Sequence, residues 1–272
     1  MEGLEQLQKI FEAYHEENSL KDFHLSDPIR YPKKFEKRND IETAAFISAV
    51  FAVGPRYAIL RSLDKIFSVL GDSPYEAVKN LDEGYLLKVM GGHVQFAYKN
   101  ITGRDFVQVL FSVKMVLAEF GTIESALMRR RNGEDVTVSH LLTGLLEKMK
   151  TVELNRQLGG ELTQCARALL ASPRQGSACK RMNMFLRWMT RKDEIDFGFY
   201  DWLGTENLVI PLDVNVSRAA RRLGLTKRKT DNWETAIEIT ESLKTLDPHD
   251  PVKYDVPLFL YGIELRKKAD AA

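Results

Sequence analysis

Apolar residues recur at helical spacing along most of the chain. Between 4 and 17, Leu4, Leu7, Ile10, Phe11 and Tyr14 fall on one side of a helix, and glutamates fill the other. Residues 18–40 carry two prolines and mixed charge, break the pattern, and read as a long connecting loop. From Asp40, which is placed to cap the helix that follows, Ile41, Ala44, Ala45, Ile47, Ser48 and Phe51 resume it. The run AAFISAVFAVG is apolar nearly all round, the mark of a helix inside the core. A third segment carries Tyr57, Ile59, Leu60, Leu63, Ile66, Phe67 and Leu70 and stops at Gly71. Further helical patterns cover 75–90, 102–120, 138–148 and 158–171, separated by glycine-containing breaks.

Strand patterns are scarce. VTVSHLL alternates briefly before LLTGLLEKM returns to helical spacing, and LVIPLDV is interrupted by Pro211. The expectation is an all-α chain forming a single unit over 1–272. Within it, an N-terminal helix and loop (1–40) precede a helical subdomain (41–157) and a C-terminal region (158–272).

Composition narrows the class. Of 272 residues, 44% are hydrophobic and 28% charged, which excludes a disordered chain. Cys165 and Cys179 supply neither a disulfide framework nor a four-cysteine metal or iron–sulfur site. His15, His24, His93, His140 and His249 form no H-x-x-x-H set, so neither a metal nor a cofactor is expected. The start is acidic and amphipathic, unlike a signal peptide, and no window of eighteen uncharged apolar residues occurs. A cytoplasmic protein without a membrane partner is therefore expected.

The formal net charge of +1 argues against a nucleic-acid partner until it is divided along the chain. Between Arg174 and Thr230 there are twelve basic and six acidic residues, a local +6 balanced by −5 elsewhere. A second stretch, DPIRYPKKFEKRND, interleaves Tyr31 and Phe35 with Lys33, Lys34, Lys37 and Arg38. Such interleaving suits nucleic acid, and equally a packed loop with snorkelling lysines.

The basic quarter carries the candidate chemistry. In SPRQGSACKRMNMFLRWMTRK, Pro173 and Gly176 mark a tight turn, after which Ser177 can cap a helix. Ala178, Met182, Phe185, Leu186 and Met189 make a buried stripe, while Lys180, Met184, Arg187 and Arg191 share another face. Lys180 then stands in the first turn of a helix beside Arg181. The helix dipole, the neighbouring cation and any burial all disfavour a protonated amine there. Those conditions make a lysine nucleophilic; a solvated surface lysine is the alternative. Downstream, Asp213 reads as the N-cap of a helix carrying Val214, Val216, Ala219, Ala220 and Leu223, with Arg218, Arg221 and Arg222 outward and Gly224 ending it. A capping aspartate and a catalytic one are compatible.

The string GSACK, with Lys180 four residues after Gly176, resembles the hairpin of helix-hairpin-helix DNA glycosylases, where a G-x-G-x-K turn presents the catalytic lysine. IPLDVNV, with Asp213, resembles that superfamily's V/I-P-V-D-x-x-V motif, whose aspartate completes the site. The interval of 33 residues is similar to that of archaeal 8-oxoguanine DNA glycosylases. KRKT and DPHDPVKYDVPLFLYGIE fit the tail of the same domain, so the resemblance covers roughly 160–265. Over nearly its whole length the chain is similar to a conserved hypothetical bacterial family of unknown function related to that superfamily, through DPIRYPKKFEKRNDIETAAFISAVFAVG and GDSPYEAV.

The resemblance implies a helix-hairpin-helix glycosylase-like fold with its active-site cleft between two helical subdomains, the hairpin and motifs lying in 158–272. It implies a monomeric base-excision repair enzyme, nucleoid-associated, that flips a damaged base such as an oxidised purine out of DNA. Lys180 would attack C1′, with AP-lyase activity, and Asp213 would stabilise the cationic sugar. Gly176 and Ser177 of the hairpin, with Arg181, Arg187, Arg191, Arg218, Arg221 and Arg222, would contact phosphates of a damaged duplex or abasic site. Three departures stand out: Ala178 replaces the hairpin's second glycine, Arg174, Gln175 and Ser177 make its flanks polar, and no cluster cysteines follow. A non-catalytic nucleic-acid-binding or interaction module with the same fold is the alternative.

Overall fold

The computed structural model describes residues 2–16, 23–82, 84, 101–131, 137–151 and 160–270. The protein is all-α: the regular elements among the described residues are helices, with isolated bridges joining Ser177 to Asn232 and Lys192 to Phe197. The chain divides into two compact units, Leu25–Ser172 and a second built from Met1–His24 with Pro173–Ala272. The first helix of the chain, α1 (Glu2–Glu16), belongs to the second unit.

In the Leu25–Ser172 unit, the stretch expected to be loop is tightened into 3₁₀ turns at Pro28–Arg30 and Pro32–Lys34. Residues 18–22 of that stretch lie outside the described residues. Asp27 caps the first of these turns, its Oδ1 accepting from Ile29 N at 3.1 Å. Tyr31 is buried and stacked on Phe67, with ring centroids 5.1 Å apart and planes at 14°. Its hydroxyl donates to the Leu60 carbonyl, and the Lys34 ammonium lies 4.9 Å from its ring centroid. Burial, then the Asp64 carboxylate, hold this phenol well above its ordinary pKa. The interleaved aromatics and cations thus include a packed Tyr31 core.

Helix α2 (Arg38–Val50) is buried from Asp40 through Val50, as its all-round apolar pattern predicts. Asp40 does not cap it, however. Lys37 holds the N-cap position without a side-chain bond, and Asp40 stands in the first turn. Its Oδ1 instead accepts from Ser73 Oγ (2.7 Å) and Tyr75 N (3.0 Å), at the start of another helix. After α3 (Arg56–Leu70), closed by Gly71 at φ 66°, that helix is α4 (Pro74–Lys79). The remainder of the expected 75–90 helix is largely outside the described residues.

Helix α5 (Gly103–Phe120) begins with a capping box between Thr102 and Asp105. The fully buried Gln108 on it accepts from Thr163 N at 2.8 Å and donates to the Glu161 carbonyl at 3.1 Å. Helix α6 (Ile123–Met128) is capped from a distance: Glu42 of α2 accepts from Ile123 N at 2.9 Å and Glu124 N at 2.8 Å. A carboxylate only 3% exposed needs such bonds. Helices α7 (Val138–Lys150) and α8 (Gln164–Leu169) complete the unit.

The second unit packs α1 with α9 (Lys180–Thr190), α10 (Val214–Arg222), α11 (Trp233–Lys244) and α12 (Asp255–Asp270). Met182 to Thr190 are buried, Trp188 completely. Helices α10 and α12 are the most extensively packed pair, brought together at Gly262, where an added Cβ would overlap the Asn215 carbonyl. Just before α12, Tyr254 meets Phe11 of α1 with ring centroids 5.1 Å apart. The segment LVIPLDV is not a strand: Ile210 N donates to Thr240 Oγ1 of α11 at 3.0 Å. No helix among the described residues is long and apolar enough to cross a membrane.

Candidate functional site

The hairpin before α9 is built from a single 3₁₀ turn, Pro173–Gln175, followed by Gly176 at φ 74°. Ser177 does not cap the helix as its position suggests. Its backbone bridges to Asn232, and its Oγ accepts from Cys179 N at 3.2 Å, closing a short turn. The N-cap position falls to Cys179, held at φ 49° and ψ 32°. Among the described residues it alone, apart from glycines, has a positive φ. Its carbonyl accepts from Asn183 N at 2.9 Å, so Lys180 is the first residue of α9. Trp233 N donates to the Gly176 carbonyl at 3.3 Å, bracing the hairpin against the start of α11.

Asp213 is the N-cap of α10, as expected. Its Oδ1 accepts from Asn215 N at 2.8 Å and Val216 N at 3.0 Å. The other oxygen, Oδ2, stands 3.1 Å from Lys180 Nζ. The cap therefore fixes the carboxylate while leaving one oxygen for the amine. Side-chain exposure is 35% for Lys180 and 15% for Asp213, so the pair is reachable from solvent without being immersed in it.

Behind this pair lies a charge network that the basic pattern of α9 hides. Arg187 is 4% exposed; its Nη1 donates to Asp255 Oδ2, and its Nη2 lies 3.4 Å from Asp196 Oδ1. Arg191 reaches Asp193 (2.7 Å), Asp196 (2.8 Å) and Asp250 (3.0 Å). Burial alone would lower the affinity of Arg191 for its proton, but these aspartates more than reverse that. Phosphate contact by Arg187 or Arg191 does not fit this arrangement, because both guanidinium groups are engaged by carboxylates inside the unit.

Other arginines are also partly inward. Arg218 donates to Asn215 Oδ1 (3.0 Å) and the Gly262 carbonyl (3.1 Å), joining α10 to α12. Arg221 pairs with Asp231 at 2.6 Å and donates to the Arg228 carbonyl at 2.7 Å. Arg222 and Gly176 are exposed, and Arg181 is partly exposed.

The residue missing from the sequence reading is Asp255, the first residue of α12. Burial pushes its carboxyl up to about 6; Arg187 opposes the rise, Asp213 adds to it and Lys180 opposes it. Burial likewise raises Asp196, against Arg187 and Arg191. One signal could have found them: an arginine two turns after Lys180, on a helix carrying an otherwise apolar stripe, requires a carboxylate from elsewhere. Among the described residues, no group of three His, Cys, Asp or Glu side chains could hold a metal ion.

The family described as "Protein of unknown function (DUF2400)" matches residues 27–264. The chain belongs to this family. The span that places it in DUF2400 contains the hairpin, Lys180, Asp213 and Asp255. No curated protein and no solved structure matches the chain.

Proposed function

We propose that this DUF2400 protein is a DNA base-excision glycosylase with AP-lyase activity, built on a helix-hairpin-helix glycosylase-like fold. The observation that supports the reading is the Lys180–Asp213 pair. A lysine on the first residue of a helix after a tight turn stands 3.1 Å from an aspartate fixed by two backbone amides. In the reaction, the unprotonated Lys180 amine bonds to C1′ as the N-glycosidic bond breaks and the base leaves with a proton. The sugar ring opens to a protonated imine, and loss of a C2′ proton then expels the 3′ phosphate. Asp213, fixed in place as a cap, stabilises the cationic sugar. The partner is a damaged duplex or an abasic site, engaged by a monomer in the cytoplasm without a cofactor.

Borohydride, which reduces the imine to a stable secondary amine, tests this. Duplexes carrying an abasic site, oxidised bases or deaminated bases are expected to give a covalent adduct that Lys180→Gln abolishes. No Lys180-dependent adduct across such a panel would overturn the reading.

Ala178, in place of the hairpin's second glycine, and the polar flank of Arg174, Gln175 and Ser177 favour a second reading, in which the fold binds nucleic acid without chemistry and Lys180 contacts a phosphate. In that case Lys180→Gln weakens binding and reduces the salt slope by about one. A glycosylase variant would keep binding and lose turnover.

A further inference from the structure

Much of the positive charge between residues 174 and 230 is neutralised inside the unit. Arg187, Arg191, Arg221 and Arg228 each meet a carboxylate of the same unit. Lys227 and Lys229, in the loop between α10 and α11, differ from them. Both are exposed and meet no acid among the described residues.

The loop that carries them is fixed at alternate positions. Thr226 is buried and its Oγ1 accepts from Arg228 N at 3.1 Å. The Arg228 guanidinium pairs with Glu238 of α11 at 2.8 Å, and Glu238 also accepts from Lys227 N at 3.2 Å. Arg221 of α10 donates to the carbonyls of Arg228 (2.7 Å) and Thr230 (3.4 Å). Thr235 Oγ1 of α11 donates to the Thr230 carbonyl as well, at 2.7 Å. Positions 226, 228 and 230 are thus anchored, and the side chains at 227 and 229 are left to solvent.

The end of this loop abuts the hairpin. Ser177 bridges to Asn232, and Trp233 N donates to the Gly176 carbonyl at 3.3 Å. Lys229 stands three residues before Asn232, at most about 10 Å along the chain. A DNA strand advances about 3.4 Å per phosphate along its axis, so loop and hairpin can reach phosphates a few nucleotides apart. On the hairpin itself, the exposed Arg174 adds a further cation.

We propose that the 226–231 loop is a second backbone-binding element for duplex DNA, in which Lys227 and Lys229 each contact a phosphate close to the hairpin. This rests on the reading of the partner as duplex DNA, and it holds with or without chemistry at Lys180. An ammonium on a long stem is a point charge that demands no set geometry of the phosphate oxygens. Fixing the backbone beforehand lowers the ordering cost of each contact. Such contacts set the register of the protein on the duplex without reading sequence.

The test uses the full chain and a duplex carrying a tetrahydrofuran abasic analogue, which lacks the C1′ leaving group and stays intact. Binding is followed by fluorescence anisotropy from about 50 to 200 mM salt. Lys227→Gln/Lys229→Gln should weaken binding and reduce the slope of log K against log salt by about two, and either single change by about one. Lys227→Arg/Lys229→Arg should keep the wild-type slope. So should Lys148→Gln/Lys244→Gln, which removes the same charge from lysines already paired with Glu119 and Glu241.

An unchanged slope in a folded double variant that still binds overturns the proposal, and the single variants serve where the double does not fold. An equal loss in Lys148→Gln/Lys244→Gln also overturns it, because diffuse charge then accounts for binding. Absence of duplex binding, with lysine-dependent binding to phosphatidylserine vesicles or without it, overturns it together with the duplex reading. Borohydride trapping on abasic DNA reports separately. An adduct with an unchanged slope keeps the glycosylase reading and rejects the loop, while a reduced slope with no adduct does the reverse.

Discussion

Gly262 of α12 lies directly against the carbonyl of Asn215, in the first turn of α10, leaving no room for a methyl group. The contact sets the position of that turn, and Asp213 is its cap. Gly262→Ala must push the two helices apart or shift the turn. Overpacking of this kind costs about 1–3 kcal/mol. The variant should unfold at lower urea than wild type and lose adduct yield by more than its folded fraction explains. Full yield in the folded variant would show that the turn tolerates the shift.

Asp213 has two jobs that two substitutions can separate. Asp213→Ala removes the cap and should cost about 0.5–2 kcal/mol in urea denaturation. Asp213→Asn retains an oxygen that can accept from Asn215 and Val216, so it should remain close to wild-type stability while losing the charge facing Lys180. A stable Asp213→Asn chain with undiminished turnover would remove the carboxylate from the chemistry.

Glu42 can be tested in the same manner within the Leu25–Ser172 unit. Glu42→Ala leaves the Ile123 and Glu124 amides without their acceptor. Leaving buried polar groups unsatisfied costs about 1–3 kcal/mol per group, and faster amide hydrogen exchange should be concentrated in α6. Unchanged protection of Ile123 and Glu124 would mean that another acceptor takes over.

Asp255 also predicts how stability varies with acidity. Its folded-state carboxyl protonates near 6, above the ordinary aspartate value of 3.8. Between those values the folded chain binds more protons than the unfolded chain, so acidification from pH 7 towards 4 strengthens folding through this group. Asp193 and Asp247, whose values are lowered, act in the opposite sense as pH falls. The comparison is therefore between wild type and Asp255→Asn. Relative to the variant, wild type should gain stability between pH 7 and pH 4.5, measured as the difference in urea midpoints. A constant difference would place Asp255 at an ordinary value.

Local patterns make much of this molecule legible. Helices α1, α2, α3, α5 and α7 follow from apolar spacing because each buries a stripe or its whole surface. Lys180 and Asp213 are marked by turn and cap chemistry within a few residues of each. Hidden features depend on partners far away in the chain. Asp40 looks like the cap of its own helix, yet serves residues 33 and 35 positions later. Arg187 and Arg191 look like an exposed cationic face until Asp196, Asp250 and Asp255 are folded onto them. Ser177 loses the cap position because Cys179 takes the left-handed conformation, an arrangement that residue types alone do not reveal.

The two acids of α2 bear on the order in which the Leu25–Ser172 unit assembles. Helices α4 and α6 are six residues each, too short to persist in water unaided. Each receives part of its N-terminal cap from α2, across sequence separations of 35 and 82 residues. Neither helix can be fully capped until α2 has docked, so loop closure must precede local order there. This part of the protein should consequently fold late and as one cooperative step, more slowly than its helical content alone suggests.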